Sequence, residues 1–351
     1  VSRMERTTAG DKIYLAVFKP IQDKMWSGNI KKYGIAQQYS PDGTIKPGDI
    51  IDVNGAPALD SNGQFFETAR SYWTSSGVLD GGDAEKGGVG EVLMNRNFVS
   101  NPRKIYTYNT AIRNTDLTHS SNGFNKTNIT PAMLGLGTDN SARDKLVDFV
   151  YGYDAYDDDG NGITNEKRDW ILGAFLHSRP LIIHYGASQS IIYAGSNDGI
   201  LHAFHDDTGE ELWGFIPPNV LPNLQALHSD LVLSFVDSSA KSYISRNVDG
   251  SINKAILIFG ERRGGNRYYA LDVTNPSAPK YLWEINPDAP NSPYVEMGQT
   301  WSTAYIGKIA CQGAGTCIGG EKWVVFVGGG YDEKEDNDVP PADTKGRAGD
   351  V

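Results

Sequence analysis

Residues Gln189–Pro217 read QSIIYAGSNDGILHAFHDDTGEELWGFIP, and this stretch decides the fold. Its β-branched and aromatic run Ile191–Gly195 suits a buried strand. Asp198-Gly199 then provides a tight turn that accepts a positive φ, and Ile200–Phe204 is a second strand. After another polar turn, Glu211–Ile216 is the third. The stretch therefore predicts a three-stranded antiparallel meander.

The same unit occurs again further along the chain. Residues 254–285 read KAILIFGERRGGNRYYALDVTNPSAPKYLWEI, with the same order of strands and turns. Ala203 aligns with Ala270 at a spacing of 67 residues, and Trp213 aligns with Trp283 at a spacing of 70. A third copy begins at Lys322 with KWVVFVGGGYD, and the chain stops inside it.

Repeats of this kind cannot bury their own faces and must stack on copies of themselves. Antiparallel units of this size predict the blades of a β-propeller, so the fold class is all-β. WD40 blades span about 40–45 residues, so these blades carry long insertions. Two unrelated meanders in a sandwich are the alternative, which the repeated Ala and Trp positions disfavour.

Composition limits the partners and the domain organisation. Asp+Glu 43 against Lys+Arg 32 gives a net charge of −11, which argues against nucleic acid as a partner. There is no apolar run of about 18 residues, so no membrane-spanning segment is expected. We expect a piece of a longer protein, because the chain lacks an initial Met and a signal peptide. Three parts are predicted. Residues 1–150 are the N-terminal part of the propeller region, with strands, long loops and a short helix. Residues 151–170 are an acidic loop, and residues 171–351 are propeller blades, of which the last is truncated.

Two helices are predicted before the central repeat. Asn140–Val150 has an apolar side, and Ser141 followed by Asp144 resembles a capping box at its start. Gln64–Gly77 contains a candidate short helix. The Gly- and Asp-rich run Leu79–Gly90 is predicted to be a loop, and it lacks the ending of a phosphate-binding P-loop.

The acidic loop carries the clearest candidate for a binding site. Asp157–Asn165 reads DDDGNGITN and fits the pattern D-x-D-x-N-G-x-x-N. Calcium requires six to eight oxygens, which acidic residues at alternate positions followed by Gly can supply. The predicted calcium ligands are the side chains of Asp157, Asp159, Asn161 and Asn165, the carbonyl of Ile163, and Glu166 or Asp169 to complete the shell. The alternative is a solvated Asp/Gly turn, and the second acidic run, Tyr331–Asp350, is interpreted as such a solvated loop.

Several phrases together resemble the PilY/PilC family of type IV pilus biogenesis factors and tip adhesins. They occur in the family's order and cover most of the chain: YLAVFKP…WSGNIKKYGI (14–35), GGDAEKGG (81–88), RKIYTY (103–108), WILGAFLHSRPLII (170–183), YAGSNDGILHAFHDDTGEELWGFIP (193–217), RYYALDVTNP (267–276), MGQTWSTAYIGKI (297–309) and WVVFVGGGYD (323–332). One departure is His205, where such repeats usually place Asp.

The resemblance implies a modified β-propeller with quinoprotein-like blades, at the C-terminal end of a large exported protein. It implies a location outside the cell, at the pilus tip or outer surface. The implied partners are minor pilins, host or abiotic surface ligands, and an N-terminal remainder of the same protein. The family is also associated with calcium loops. Export, together with the flexible loop CQGAGTC, predicts a disulfide between Cys311 and Cys317, with two free thiols as the alternative.

Three functions remain open from the sequence. The first is a non-enzymatic propeller for pilus assembly, retraction control and surface adhesion, modulated by calcium. The second is a quinoprotein dehydrogenase, because Ala203–Trp213 resembles the A-x-D-x-x-T-G-x-x-x-W motif of that class. There is no vicinal Cys pair, however, and only two full motif copies exist. The third is a glycan-binding propeller. The six His and the two repeat Trp are interpreted as packed or surface residues.

Overall fold

Four β-sheets follow one another along the chain. The computed structural model describes residues 2–3, 11–21, 25–186, 189–229, 233–312, 317 and 319–331. The acidic run predicted to be a solvated loop, Tyr331–Asp350, therefore lies outside the described residues except for Tyr331.

The first sheet, the N-terminal sheet, has four antiparallel strands in sequence order. They are β1 (Ser2–Arg3), β2 (Lys12–Lys19), β3 (Ser27–Ile35) and β4 (Ile50–Ile51). Strands β2 and β3 pair from Lys12 opposite Gly34 to Lys19 opposite Ser27. Eight of the nine residues of β3 are buried, so both faces of this strand are covered by other parts of the chain.

The second sheet, blade I, contains the stretch that decided the fold. Its strands are β6 (Leu181–Gly186), β7 (Gln189–Gly195), β8 (Leu201–His205) and β9 (Glu211–Phe215), with β5 (Ile105–Tyr106) added in parallel beside β9. The three predicted strands of this unit are confirmed as β7, β8 and β9, with ends shifted by one or two residues. Gly199 turns the chain between β7 and β8 with φ 88°.

The other two sheets contain the later copies of the repeat. Blade II has β10 (Lys241–Arg246), β11 (Ile252–Gly260), β12 (Tyr268–Asp272) and β13 (Lys280–Ile285), and blade III has β14 (Tyr305–Ala310) and β15 (Glu321–Phe326). In blade I, Ala203 lies opposite Trp213; in blade II, Ala270 lies opposite Trp283. The register shifts directly after each Ala, so the two blades share the same irregularity.

The sheets pack face to face. Successive side chains of a strand point to opposite faces, so one strand can contribute to the cores on both sides of its sheet. Ile191 and Tyr193 belong to the apolar core that blade I shares with blade II. Ile192 and Ala194, which alternate with them on β7, belong to the core shared with the N-terminal sheet. Trp283 packs in the smaller core between blades II and III. The prediction of an all-β, propeller-like fold is confirmed.

Two α-helices lie between the N-terminal sheet and blade I. They are α1 (Gly88–Asn95) and α2 (Asn140–Tyr151), and short 3-10 helices occur at Ser120–Asn122, Ala132–Leu134 and Leu221–His228. Helix α2 confirms the helix predicted at Asn140–Val150, but its N-cap lies two residues before the predicted one. Asp139 is the N-cap, and its carboxylate accepts a hydrogen bond from the backbone N–H of Ala142. The predicted cap at Ser141 is wrong. Neither α-helix of the described residues has the length and apolar character needed to cross a membrane.

Two local predictions before α2 need correction: the short helix in Gln64–Gly77 is wrong, and the loop Leu79–Gly90 is confirmed only up to residue 87. Residues 64–77 form turns and isolated bridges instead of a short helix, because the backbone of Tyr72 pairs with Lys32 of β3 and Trp73 has φ 68°. Helix α1 begins within the run that was predicted to be a loop. Its glycines disfavour a helix intrinsically, but a side chain at Gly90 would meet the Trp170 ring at 2.1 Å. Close packing against Trp170 therefore requires this glycine.

The N-terminal sheet is attached to blade I through the turn between β8 and β9. The carboxylate of Asp206 accepts hydrogen bonds from Tyr14 Oη (2.6 Å) and Lys32 Nζ (2.9 Å). Its backbone carbonyl accepts one from the indole N–H of Trp73 (2.8 Å). A second attachment joins β3 to the end of the acidic loop, where the indole N–H of Trp170 donates to the Gly28 carbonyl (3.0 Å).

Candidate metal centre

The acidic loop leaves the end of α2 and returns to nearly the same place. Gly152 ends the helix with φ 108°, and its carbonyl accepts a hydrogen bond from the N–H of Arg168 (3.0 Å). The N–H of Asp154 bonds the carbonyl of Glu166 (2.8 Å). The two ends of the loop are therefore closed by backbone hydrogen bonds, which fix the span in which a metal could bind.

Three carboxylates come together inside this closed loop. Asp154, Asp157 and Asp159 each offer an oxygen atom, and these atoms all lie within 4.8 Å of one another. Two oxygens that bind one calcium ion at 2.3–2.6 Å can be separated by up to about 5 Å. The three carboxylates therefore fit the requirements of a hard cation. Asp154 is buried, whereas Asp159 is exposed, so the cluster opens to solvent on one side.

The structure adds one residue to the predicted ligand set. The alternate spacing of the motif predicts Asp157 and Asp159 as ligands, whereas Asp154 lies outside the motif and is not among the predicted ligands. The turn that follows Asp154 brings it back to the others, since its carbonyl accepts a hydrogen bond from the N–H of Asp157 (3.1 Å). Asp157 itself has φ 59°, which curls the loop at that point. The signal in the sequence was an acidic residue three positions before the motif.

Asn161 and Glu166 lie beside the cluster without joining it. The Nδ2 group of Asn161 donates to Asp159 Oδ2 (2.8 Å) and to Glu166 Oε1. Its Oδ1 atom accepts from the N–H of Ile163 (2.7 Å). The amide thus bridges two carboxylates by its donor side.

The remaining predicted ligands are on the solvent side of the loop. Ile163, Asn165 and Asp169 are exposed, and neither Glu166 nor Asp169 belongs to the group of three carboxylates found among the described residues. Asp158 is directed elsewhere: its Oδ1 atom lies 2.7 Å from Nε2 of His228. The structure therefore brings together part of the predicted shell and separates Asp158 from it.

Sequence analysis missed a buried network of charges in blade I. Arg103 pairs with Glu211 through two hydrogen bonds of 2.7 Å, and both side chains are at most 1% exposed. Nδ1 of His202 lies 2.8 Å from Glu211, and its Nε2 lies 3.3 Å from Asp198. Arg103 also donates to the carbonyl of Val150 (2.9 Å), so the network joins blade I to the end of α2.

Opposite charges outweigh burial in setting the ionisation of this network. Burial alone would raise the pKa of Glu211, but Arg103 and His202 hold it well below its usual range. Burial alone would lower the pKa of His202, but Asp198 and Glu211 raise it above its ordinary value. His202 is therefore a packed, ion-paired residue, in agreement with its interpretation from the sequence.

The two cysteines are joined in the structure. Cys311 and Cys317 form a disulfide with their Cα atoms 5.8 Å apart. The bridge lies at the end of the β14–β15 hairpin, where the N–H of Cys311 also bonds the carbonyl of Gly320 (2.8 Å).

Residues 184–342, which include most of the three blades, match the family model of the PilY1 beta-propeller domain. The chain contains a PilY1-family propeller region. The resemblance to the PilY/PilC family is thereby confirmed for this region. The matched span begins within β6 of blade I, so the acidic loop lies outside it, on its N-terminal side.

Similar proteins carry the same name. A PilY1 homolog of Xylella fastidiosa, titled type IV pilus biogenesis factor, is 31% identical over 175 residues, covering 49% of this chain and 10% of that protein. The PilY1 of Pseudomonas aeruginosa strain PAK, with the same title, is 23% identical over 368 residues, covering 95% of this chain and 27% of its own length. The chain thus spans about a tenth to a quarter of the length of these relatives.

A solved structure also matches part of the chain. The crystal structure of the Pseudomonas aeruginosa PilY1 C-terminal domain is 29% identical, covers 41% of this chain and 25% of the other, and superposes with a TM-score of 0.29. The assignment to the family therefore rests on the match of residues 184–342.

Proposed function

We propose that this chain is the C-terminal propeller region of an exported type IV pilus biogenesis factor. Its role is in pilus assembly, retraction control and surface adhesion, with minor pilins, host or abiotic surface ligands and the rest of the same protein as partners. The observation that supports the proposal is the match of residues 184–342 to the PilY1 propeller, together with relatives titled type IV pilus biogenesis factor. The Cys311–Cys317 disulfide supports a location outside the cell, because such bonds persist in oxidising compartments.

The proposed role is non-enzymatic. The quinoprotein alternative depends on Ala203–Trp213, and in this structure these residues pair β8 with β9. Trp213 is 1% exposed and belongs to the core between blades I and II, so the motif serves packing. Purified protein should show no quinone absorbance and no dehydrogenase turnover after quinone and calcium are added. Detectable turnover would favour the quinoprotein alternative.

We further propose that the acidic loop binds calcium. The donors are the carboxylates of Asp154, Asp157 and Asp159, with Asn161 and Glu166 beside them. Calcium would neutralise this cluster and fix the segment between α2 and Trp170, which contacts β3 of the N-terminal sheet. The metal would thereby stabilise the attachment of the N-terminal sheet to the propeller.

Isothermal titration with calcium, after treatment with a chelator, tests the site. Asp159→Ala should weaken binding about tenfold or more, because it removes a charged ligand. Asp158→Asn is the matched control and should retain the affinity, since the Asp158 carboxylate faces His228. If uptake persists unchanged in Asp159→Ala, the ion binds elsewhere, and the acidic run Tyr331–Asp350 is the next place to test. Absence of uptake would make the loop an ordinary solvated turn.

The role in pili is tested in cells with the full-length protein that contains this chain. Deletion of residues 171–351 should reduce the pili recovered from the surface, and antibodies against the propeller should label intact cells. Unchanged surface piliation and absence of labelling would contradict the proposal. Binding to a glycan array, with piliation unaffected, would favour the glycan-binding alternative.

A further inference from the structure

A cavity of about 190 Å³ lies where four segments of the chain meet. The end of α2 contributes Phe149, and the last residues of the acidic loop with those that follow it contribute Arg168, Trp170 and Leu172. The start of β3 and the last turn of the 3-10 helix before residue 230 form the other walls. We call this space the Arg168 cavity. None of the proposed calcium ligands lines it.

Arg168 is a half-buried cation that makes no direct ion pair among the described residues, although the carboxylates of Asp198, Asp158 and Asp154 lie near enough to act on its charge. Its guanidinium stacks on the ring of Phe149, with Cζ 3.8 Å from the ring centroid, and Nη2 donates to the Phe149 carbonyl (3.0 Å). Its buried Nε atom has no hydrogen-bond partner. No carboxylate among the described residues lies within ion-pair distance of it. Burial and the nearby charge of Arg103 lower the pKa of Arg168 to about 10.

A charged group that is partly withdrawn from water is stabilised by an opposite charge in contact with it. A negatively charged acceptor in the cavity would supply the ion pair that Arg168 lacks, through guanidinium N–H groups other than the enclosed Nε. The acid nearest the opening does not do so, because Asp158 pairs with His228. His228 is itself stacked on Tyr156, with ring centroids 3.9 Å apart, so the pair is held at the rim.

The other walls are mainly apolar, with Ser27, Ser229 and the Asp158–His228 pair as their polar members. Leu172 and Leu227 are buried, and Met25 packs beside them. Trp170 is held in place by its hydrogen bond to the carbonyl of Gly28. The cavity thus combines the guanidinium of Arg168 and the Asp158–His228 pair with apolar and aromatic surfaces. Its volume exceeds the about 150 Å³ of an engineered apolar cavity that binds benzene.

We propose that the Arg168 cavity binds a small organic monoanion, in which a carboxylate pairs with Arg168 and a short apolar or aromatic body fills the space. The planar guanidinium is suited to a carboxylate, since its N–H groups match the two oxygens. Phe149 and Trp170 contact the apolar body. The site is distinct from the proposed calcium site and does not depend on it.

Sodium benzoate is the probe that tests this assignment, with binding followed by calorimetry or by NMR in the presence of EDTA. Benzoate should bind saturably in the millimolar range or tighter. Benzyl alcohol, which has the same ring without the charge, should bind about tenfold more weakly or worse, because the pairing of a two-oxygen carboxylate with the guanidinium is lost. The chelator keeps the outcome separate from calcium binding.

Variants locate the site. Arg168→Met should lower benzoate affinity by about tenfold or more, and Arg246→Met, at an exposed arginine of β10, should not change it. Met25→Trp fills the cavity while Arg168 remains, and it should also abolish binding. This second variant tests the site even if Arg168→Met does not fold. Equal binding of benzoate and benzyl alcohol, full affinity in Met25→Trp, or no saturable binding of benzoate would each overturn the proposal.

Discussion

The indole N–H of Trp213 donates a hydrogen bond to the carbonyl oxygen of Pro276, 2.7 Å away. Trp213 belongs to β9 of blade I, whereas Pro276 lies in the turn between β12 and β13 of blade II. The repeated tryptophan therefore joins consecutive blades by a hydrogen bond as well as by its apolar surface. A mutation of Trp213 should weaken the contact between blades I and II without altering the strand pairing within either blade.

Trp213→Phe should lower the free energy of unfolding by about 2 kcal/mol, because a buried carbonyl loses its donor. The measurement is a denaturant or thermal melt of the whole chain. Trp323→Phe is the matched control, since that side chain is 52% exposed, and it should change stability by about 0.5 kcal/mol or less. Equal effects of the two substitutions would show that Trp213 does not join the blades.

Calcium should stabilise the chain through Asp154, which was not among the ligands predicted from the sequence. At a hundredfold excess over the dissociation constant, a ligand that binds only the folded state contributes about 2.7 kcal/mol. Thermal melts with calcium and with chelator should therefore differ in the wild type. Asp154→Asn should reduce this difference, whereas Asp158→Asn should preserve it. A wild type that melts identically in both conditions would contradict calcium binding.

Arg103→Met should be strongly destabilising, by about 3–5 kcal/mol, because it leaves the buried carboxylate of Glu211 uncompensated. Lys254→Met is a matched control, since the Lys254 side chain is 42% exposed in its pair with Asp272, and it should cost about 1 kcal/mol or less. Adding Glu211→Gln to Arg103→Met should cost less than the sum of the single effects. Additive losses in the double-mutant cycle would show that the pair does not act as a unit.

Glu261 should make stability depend on pH. It is fully buried, its Oε1 atom has no hydrogen-bond partner, and burial raises its pKa to about 8 from the ordinary 4.5. Between these two values the folded state holds a proton that the unfolded state releases, so stability falls as pH rises from about 4.5 to 8. The loss reaches a few kcal/mol, since one pKa unit corresponds to about 1.4 kcal/mol.

Glu261→Gln removes this titration. The variant should therefore gain stability over the wild type as pH rises toward 8, and the two proteins should converge near pH 4. Glu296→Gln, at an exposed position, is the control. Melts across this pH range give the comparison, and parallel curves for wild type and Glu261→Gln would contradict the raised pKa.

The disulfide should protect Cys311 and Cys317 from alkylation in the folded, non-reduced protein. Mass spectrometry should show no iodoacetamide adduct before reduction and two after it. Removing the bridge with a Cys311→Ser and Cys317→Ser double variant should destabilise by about 2 kcal/mol, as for other small closed loops. Two reactive thiols before reduction would refute the bridge.

The blades could be predicted from the sequence because strand patterning and turn chemistry are local. The alternation around Tyr193, the glycine turn at Gly199 and the repeated Ala–Trp spacing each act over a few residues, and the structure has all three. Helix α2 was predicted for the same reason. Helix α1 was not, because its glycines are explained only by close contacts with residues that are distant in sequence: Gly90 with Trp170, and Gly88 with the Ile30 carbonyl of β3.

The acidic loop shows the same division. By itself the sequence placed Asp157 and Asp159 at alternate positions of a loop, since ligand spacing within a loop is a local property. Asp154 joins them through a local turn that the motif pattern did not include. Only the tertiary structure decided that Asp158 turns to His228, which is 70 residues away along the chain. The cavity at Arg168 also arises from tertiary packing, because its walls come from four separate segments, and no local pattern specifies where such segments meet.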